Sequence, residues 1–310
     1  MSNNVINGKG NEWALAKVFS SQLEIPIRQD SAADVAKVSY DALPQELRER
    51  FDQSAALTSN HLLRLEQGKL ITKPPRQIRL AGDSEGKEGD VRDVLVTAGE
   101  VLFGVSCKSN HDAYKHSRLS SSIDWVERWG ISPSGCSENY WSAINPVFAD
   151  LLRIKEESNG KALFRELPDL HGKVYAPILD AFEEELKSLF SIESEVEQNA
   201  TALVKYVVGK EDFYKAVSRE KEVDILTFNF NGSLSGARTK APSKVLAVDR
   251  AEGSSHSINV RFDRGYVFNF RIHNASSRVE PSLKFDIQAV GLPANEIKHH
   301  NIAFDLDSNQ

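Results

Sequence analysis

Hydrophobic positions near the start of the chain recur at helical spacing. Between residues 11 and 24, Trp13, Ala14, Ala16, Val18, Phe19 and Leu23 form one apolar stripe, which Ile25-Pro26-Ile27 ends. Asp30 or Ser31 is placed to cap a second helix through Asp41. A third helix starts near Pro44 and reaches Glu66, where Gly68 offers a stop. The texture then changes. Residues 70–80 read as extended, and residues 82–89 form a charged, glycine-rich loop. Residues 90–96 and 101–108 read as two strands around a short turn containing Gly99. Helical spacing returns over residues 111–129, in one or two pieces, and over 140–157. It is clearest over 174–190, where Ile178, Leu179, Phe182, Leu186, Leu189 and Phe190 share a face and Glu183 and Lys187 pair on the other. Beyond Val223 the period drops to two, with strands expected over 223–230, 245–249, 258–262, 266–273 and 283–290. The pattern predicts an α+β chain: a helical N-terminal region (1–69), a core with flanking helices (70–220) and a β-rich C-terminal region (221–310).

Composition narrows the class. With 310 residues, 40% hydrophobic and 26% charged, the chain has material for one large globular domain or two intimately packed ones. The opening MSNNVINGKGNEW lacks the features of a secretory signal, and no apolar run approaches membrane-spanning length. Two cysteines, Cys107 and Cys136, make no disulfide framework, so the reading is a cytoplasmic protein with no membrane partner. The net charge of -6 does not favour nucleic acid. Charge placement matters more: residues 235–290 carry nine Lys or Arg against five acids.

The chemistry concentrates in residues 89–122. In a strand, Ser106 and Lys108 share one face and Val105 and Cys107 the other. A hairpin brings Asp90 or Asp93 close to Lys108, and Asp93 is preferred because Asp93-Val94-Leu95-Val96 reads as the strand proper. Phosphodiester hydrolysis needs such a set: carboxylates to hold a hard cation such as Mg²⁺, and a lysine to orient water and stabilise developing charge. An acid opening one strand, then acid-x-lysine on the next, resembles the PD-(D/E)xK nuclease superfamily. Here the triplet is Ser106-Cys107-Lys108, so serine stands where the second acid belongs. Glu66 is the first choice to replace it as a metal ligand beside Asp93, with Asp112 and Asp124 as alternatives. If helical, the following run places His111, Lys115 and Arg118 on one face suited to DNA. His111 and His116 are five apart, which is not the spacing of a zinc-binding helical pair. His299-His300 reads as surface, Cys107 as a small core residue, and no phosphate-cradling glycine loop is present.

GVSCKSNHDAYKHSRLS is similar to a signature of the HaeIII-type restriction endonuclease family, and FRIHNASSRVEPSLKFDIQ is a second resemblance. The family implies Mg²⁺-dependent double-strand cleavage of DNA at GGCC with blunt ends, blocked by a cognate DNA cytosine methyltransferase. The resemblance carries Asp93 and Lys108 as catalytic, and Asn110, His111, Lys115, His116 and Arg118 as site or DNA-facing residues. In the second block, alternation puts Tyr266, Phe268 and Phe270 on one face and Arg271 and His273 on the other. Asn274, Ser276 and Arg278 follow as further candidates for base or phosphate contacts. A palindromic target suggests a homodimer, although a monomer could cut the strands in turn. The competing functions are an inactive DNA-binding relative and a structure-selective nuclease.

Overall fold

A computed structural model describes residues 3–82, 90–110 and 113–304. Residues 83–89 of the glycine-rich loop, His111 and Asp112 lie outside the described residues. The chain divides into two units, and these are interleaved along the sequence rather than following the three consecutive stretches expected. Unit 1 comprises Met1–Asp112, Gly209–Lys240 and Ala294–Gln310; unit 2 comprises Ala113–Val208 and Ala241–Pro293.

Unit 1 is a mixed six-stranded sheet with helices. Its strands are β1 (Gln77–Leu80), β2 (Val94–Thr97), β3 (Val101–Ser109), β5 (Phe213–Ser218), β6 (Glu222–Phe228) and β11 (His299–Ala303), in the order β1-β2-β3-β5-β6-β11. Among these described strands only β3 and β5 pair in parallel, with Ser109 opposite Ser218. The helices are α1 (Asn3–Leu23), α2 (Ser31–Asp41), α3 (Gln45–Leu65) and α4 (Gln67–Thr72). Asp30 caps α2 as its sequence suggests, accepting from the N–H groups of Ala32 and Ala33 at 3.1 Å. Gly68 does not stop α3. The chain restarts at Gln67 as α4, so only the last four residues of the expected extended segment form a strand. The apolar stripe of α1 and Phe51 of α3 bury against Phe103, Val105 and Cys107 of β3 and Tyr214 of β5, with Phe19 edge-on to Phe103 at 5.7 Å. Period-two alternation along β3 leaves Ser106 and Lys108 on the other face.

Unit 2 is a five-stranded antiparallel sheet in the order β4-β10-β9-β8-β7, where β4 is Ala113–Leu119, β7 Val245–Arg250, β8 Ser257–Phe262, β9 Val267–Asn274 and β10 Leu283–Gly291. Its helices are α5 (Trp125–Trp129), α6 (Glu138–Glu157), α7 (Ala176–Phe190) and α8 (Val196–Val208). Ile178, Leu179, Phe182, Leu186 and Leu189 of the α7 stripe bury as the spacing predicts, while Phe190 at its end is half-buried. Phe182 at its centre meets Trp125 at 4.9 Å and Phe285 of β10 at 4.5 Å. Glu185, also buried, accepts from Ser137 N–H and Oγ at 2.7 and 2.6 Å, tying α7 to the first turn of α6.

The segment after Asn110 corrects the sequence reading: residues 113–119 are strand β4, not helix. Ser117 and Leu119 are buried while His116 and Arg118 are exposed, and the whole segment pairs with β10. A seven-residue helix gains little by itself, whereas a strand gains a ladder and a buried face, so tertiary pairing overrides the three- and four-residue spacing. No helix among the described residues is long and apolar enough to cross a membrane.

Candidate active site and nucleic-acid face

Asp93 lies one residue before β2, yet its backbone already belongs to the ladder. Its N–H donates to Val105 O at 2.8 Å, and its carbonyl accepts from Ala81 N–H at 2.9 Å. The carboxylate is thereby carried to the end of β3. Its Oδ2 accepts from the Cys107 N–H at 2.7 Å, Ser106 Oγ at 3.2 Å and Lys108 Nζ at 3.3 Å. Among the described residues its second oxygen has no hydrogen-bond donor. Side-chain exposures of 22% for Asp93 and 33% for Lys108 leave the pair accessible to a substrate.

A third group arrives from far away in sequence. Glu12 on α1 is buried and pairs with Lys9 at 3.0 Å. Burial, and then the negative charge of Asp93, push its carboxyl up to about 8, against the lowering pull of Lys9 and Lys108. Next to it, Asn11 Nδ2 donates to Lys108 O at 3.1 Å, fastening α1 to the end of β3. Glu12, Asp93 and Lys108 therefore feel one another's charge. Burial pulls the Lys108 ammonium down, but Asp93, Cys107 and Glu12 more than offset this and hold it above the usual lysine range. It stays protonated, which suits a charge donor and not a base. Cys107 is inert: burial first, and then Asp93 and Glu12, drive its thiol well above its ordinary value.

The sequence reading named Glu66 as the second acid; the structure shows it occupied elsewhere. Glu66 is 0% exposed; Oε1 takes Tyr214 Oη at 2.5 Å and Ser235 N–H at 2.8 Å, and Oε2 takes Ser235 Oγ at 2.9 Å. Lys69 completes the set at 2.9 Å and also reaches Leu102 O. Leu102 is at the start of β3 and Lys108 near its end, about 20 Å away at the rise of a strand. Asp90 is likewise engaged, by both Nε and Nη2 of Arg92 at 2.8 Å. Asp124 caps α5 through the Glu127 N–H at 3.0 Å. Eighty-one positions separate Glu12 from Asp93, so the sequence does not pair them; the local signal is an acid on the apolar stripe of a helix.

Two carboxyls that feel each other's charge, one of them with a raised pKa, are relieved by a bound cation. Their oxygens suit Mg²⁺, which takes one or two carboxylates and completes its shell with water and substrate phosphate. Among the described residues no group of three or more His, Cys, Asp or Glu gathers that could hold a metal ion.

The DNA-facing candidates divide between the units. Asn110, in unit 1, ends β3 with φ 49°, its N–H bonded to Ser218 O at 3.1 Å. In unit 2, Lys115 turns to the core side of β4, where its Nζ bonds Tyr206 O at 3.1 Å and lies 3.8 Å from that ring's centroid. His116 and Arg118 point the other way, and so does the polar face of β9 and β10. Register aligns His116, Asp286 and Arg271 in one row across three strands, and Arg118, Lys284 and His273 in the next. Sequence reasoning named four of these six residues as DNA-facing candidates without seeing that they share a surface. Asn274, Ser276 and Arg278 form the turn after β9. Asn274 Nδ2 bonds Ser276 O, and Ser276 Oγ bridges Arg278 N–H and O at 3.1 and 2.8 Å. Arg278 is exposed there, as is Ser277, while Asn274 and Ser276 are half-buried.

Comparison with known proteins gives this geometry a context. A family model described as HaeIII restriction endonuclease matches residues 12–293. The chain is 33% identical to the type II restriction enzyme HaeIII of Haemophilus aegyptius over 310 residues, which covers 94% of this chain and 95% of that one. No solved structure matches.

Proposed function

Because the chain belongs to the HaeIII restriction endonuclease family, and so is a type II restriction endonuclease that binds and cuts DNA at specific sites, we propose that it cleaves both strands at GGCC, leaving blunt ends, through a PD-(D/E)xK-like centre made by Glu12, Asp93 and Lys108. The observation that carries this reading is that Glu12 of α1 shares its electrostatic environment with the Asp93–Lys108 pair. It supplies the acid that Ser106 lacks.

Glu12 and Asp93 would hold Mg²⁺ at the scissile phosphate. When bound, the ion polarises the phosphoryl oxygens, neutralises their charge and acidifies water. The protein's own groups do the rest. Ser106 Oγ and the Cys107 N–H fix one oxygen of Asp93 and leave the other for a ligand. Protonated Lys108 orients the attacking water and donates to the charge that builds on the phosphate. The P–O3′ bond breaks opposite the entering oxygen and leaves a 5′-phosphate. Lys9 balances the Glu12 charge, and Asn11 keeps α1 in register with β3. The outward face of β4, β10 and β9 in unit 2, with Arg118, Lys284, Arg271, His116 and His273, supplies the DNA interface, with Asn110 and Arg278 as further contacts. In the cytoplasm such an enzyme needs a cognate cytosine methyltransferase to protect the host's sites. A two-fold homodimer suits a palindrome.

The test is a digest of unmethylated duplex DNA with purified protein, with and without Mg²⁺, followed by sequencing of the fragment ends. Fragments that appear only with the metal and end within GG/CC establish the proposal. Ends at another repeated site would replace the target and keep the mechanism, whereas no cleavage with any divalent cation would remove the mechanism.

A further inference from the structure

The outward face of the unit 2 sheet contains a charge of the wrong sign for a phosphate. Asp286, on β10 between β4 and β9, points away from the core formed by Leu283, Phe285 and Ile287, yet its side chain is only 7% exposed. One of its oxygens, Oδ2, accepts from Arg271 Nη2 at 3.1 Å. The other, Oδ1, lies 3.5 Å from His116 Nδ1 and has no hydrogen-bond partner among the described residues. A buried carboxylate oxygen without a donor is unfavourable. Arg118, Lys284, Arg271 and His273 around it make the surface otherwise suited to a polyanion.

We propose that Asp286 is a specificity-determining residue, whose Oδ1 accepts a hydrogen bond from the exocyclic N4 amino group of a target cytosine in the major groove. This rests on the reading that the face of β4, β10 and β9 is the DNA interface. β4 and β10 are the two strands at one edge of the sheet, and a strand pair fits the major groove, where the only base-edge amino donors are cytosine N4 and adenine N6; guanine and thymine present acceptors there, which a carboxylate repels. In a target made of G·C pairs the donor is cytosine. Arg271 strengthens the assignment. Its guanidinium, held beside Asp286, is a donor fork, and the guanine of the same pair shows two acceptors, O6 and N7. Carboxylate and guanidinium side by side therefore complement the whole major-groove edge of one C·G pair. Thymine at that position would set its O4 against Oδ1, so the contact rejects a T·A pair as well as selecting C·G.

The experiment pairs a residue change with a base change. Binding of the full chain is measured, without divalent metal, to a duplex with the target sequence and to duplexes in which one cytosine is replaced by 2-pyrimidinone, which keeps the ring but lacks the amino group. At the contacted position the wild-type protein is expected to lose at least about tenfold in affinity. Asp286→Ala, weaker on the intact target, is expected to lose no more than about twofold from the same base change. Asp286→Asn, nearly identical in shape, serves as the second variant should alanine disturb the sheet, and is expected to lose much less than the wild type. Equal losses in wild type and variants at every cytosine would overturn the contact. Arg118→Ala and Lys284→Ala separate the two readings. If both weaken binding several-fold while no coupling to Asp286 is seen, the interface holds and the Asp286 contact fails. If neither changes binding, the face does not meet DNA and the interface reading fails with it.

Discussion

At the scale of single residues, the site is organised around one carboxylate oxygen. Asp93 Oδ2 takes three donors from consecutive residues of β3, so the side chain has little rotational freedom. Lys108→Ala removes the donor for the developing charge and is expected to abolish detectable cleavage while duplex binding falls only a few-fold; nitrocellulose or gel-shift binding beside a cleavage time course reads both. Glu12 and Glu66 make a sharper contrast. Glu12→Gln is expected to lower single-turnover cleavage at least about 100-fold, since a metal ligand should cost no less than the outer partners that orient one. Glu66→Ala leaves Tyr214, Ser235 and Lys69 without their shared acceptor and is expected to cost about 3 kcal/mol in a urea titration. The rate per folded molecule should be retained. The reverse pattern would restore Glu66 as the second acid. The Asp93–Lys108 pair was legible in the sequence because a hairpin is local: the acid, the turn at Gly99 and the lysine lie within sixteen residues. Glu12 was not, since nothing in the spacing of α1 says which strand end it will face.

At the scale of elements, α1 is set by a close approach. A Cβ on Gly10 would stand 2.7 Å from Leu43 Cδ1, and Leu43 is itself 4% exposed with little room to move. Replacing glycine by alanine in a helix gains up to about 1 kcal/mol, while forcing an extra methyl into a packed contact costs about 1–3 kcal/mol. Gly10→Ala should therefore lower the urea midpoint and, through Glu12 two residues on, cleavage as well. Gly68→Ala in α4 meets nothing within 4 Å and should stabilise the chain. At the other edge of the unit 1 sheet, Asp224 of β6 binds Arg219 and, at 2.9 Å each, His299 and Asn301 of β11. Burial raises its pKa, but these partners more than offset this and hold it below the usual carboxylate range. A depressed folded pKa gives stability that is fully present above the ordinary carboxylate value and lost as pH falls through the lower one. Below about pH 4, β11 should loosen from β6 earlier than the inner strands, seen as faster amide exchange at His299–Ala303, and Asp224→Asn should remove that dependence. Periodicity located α2, α3, α6 and α7 well because each carries its own apolar stripe. It misread β4, where charges at three- and four-residue intervals also alternate, and only the pairing with β10 decides between the two periods.

At the scale of the whole molecule, net charge and partner disagree, and position resolves the disagreement. A chain of net charge -6 binds DNA by grouping its cations, and Arg118, Lys284 and Arg271 stand in adjacent rows of one sheet face. With about four or five phosphates neutralised, affinity for duplex DNA should fall about 150- to 500-fold between roughly 50 and 200 mM salt, since each contact releases counterions. A slope near zero, read by fluorescence anisotropy across that range, would be incompatible with the proposed interface. The mixed α+β class was legible because helical and alternating segments separate cleanly along the chain. The interleaving of the two units was not, because it depends on β5 returning to β3, laid down more than a hundred residues earlier, and on β11 returning to β6 across the strands of unit 2. That return also sets an order of events on the ribosome. The sheet that holds Asp93 and Lys108 has β3 as its open edge until residues 213–218 have emerged, and its last strand lies at 299–303. Such long-range closure is slow and comes late in synthesis. Nascent or prematurely ended chains therefore carry Asp93 and Lys108 on an unfinished scaffold, and an activity that endangers the cell's own chromosome would wait until β11 has joined the sheet.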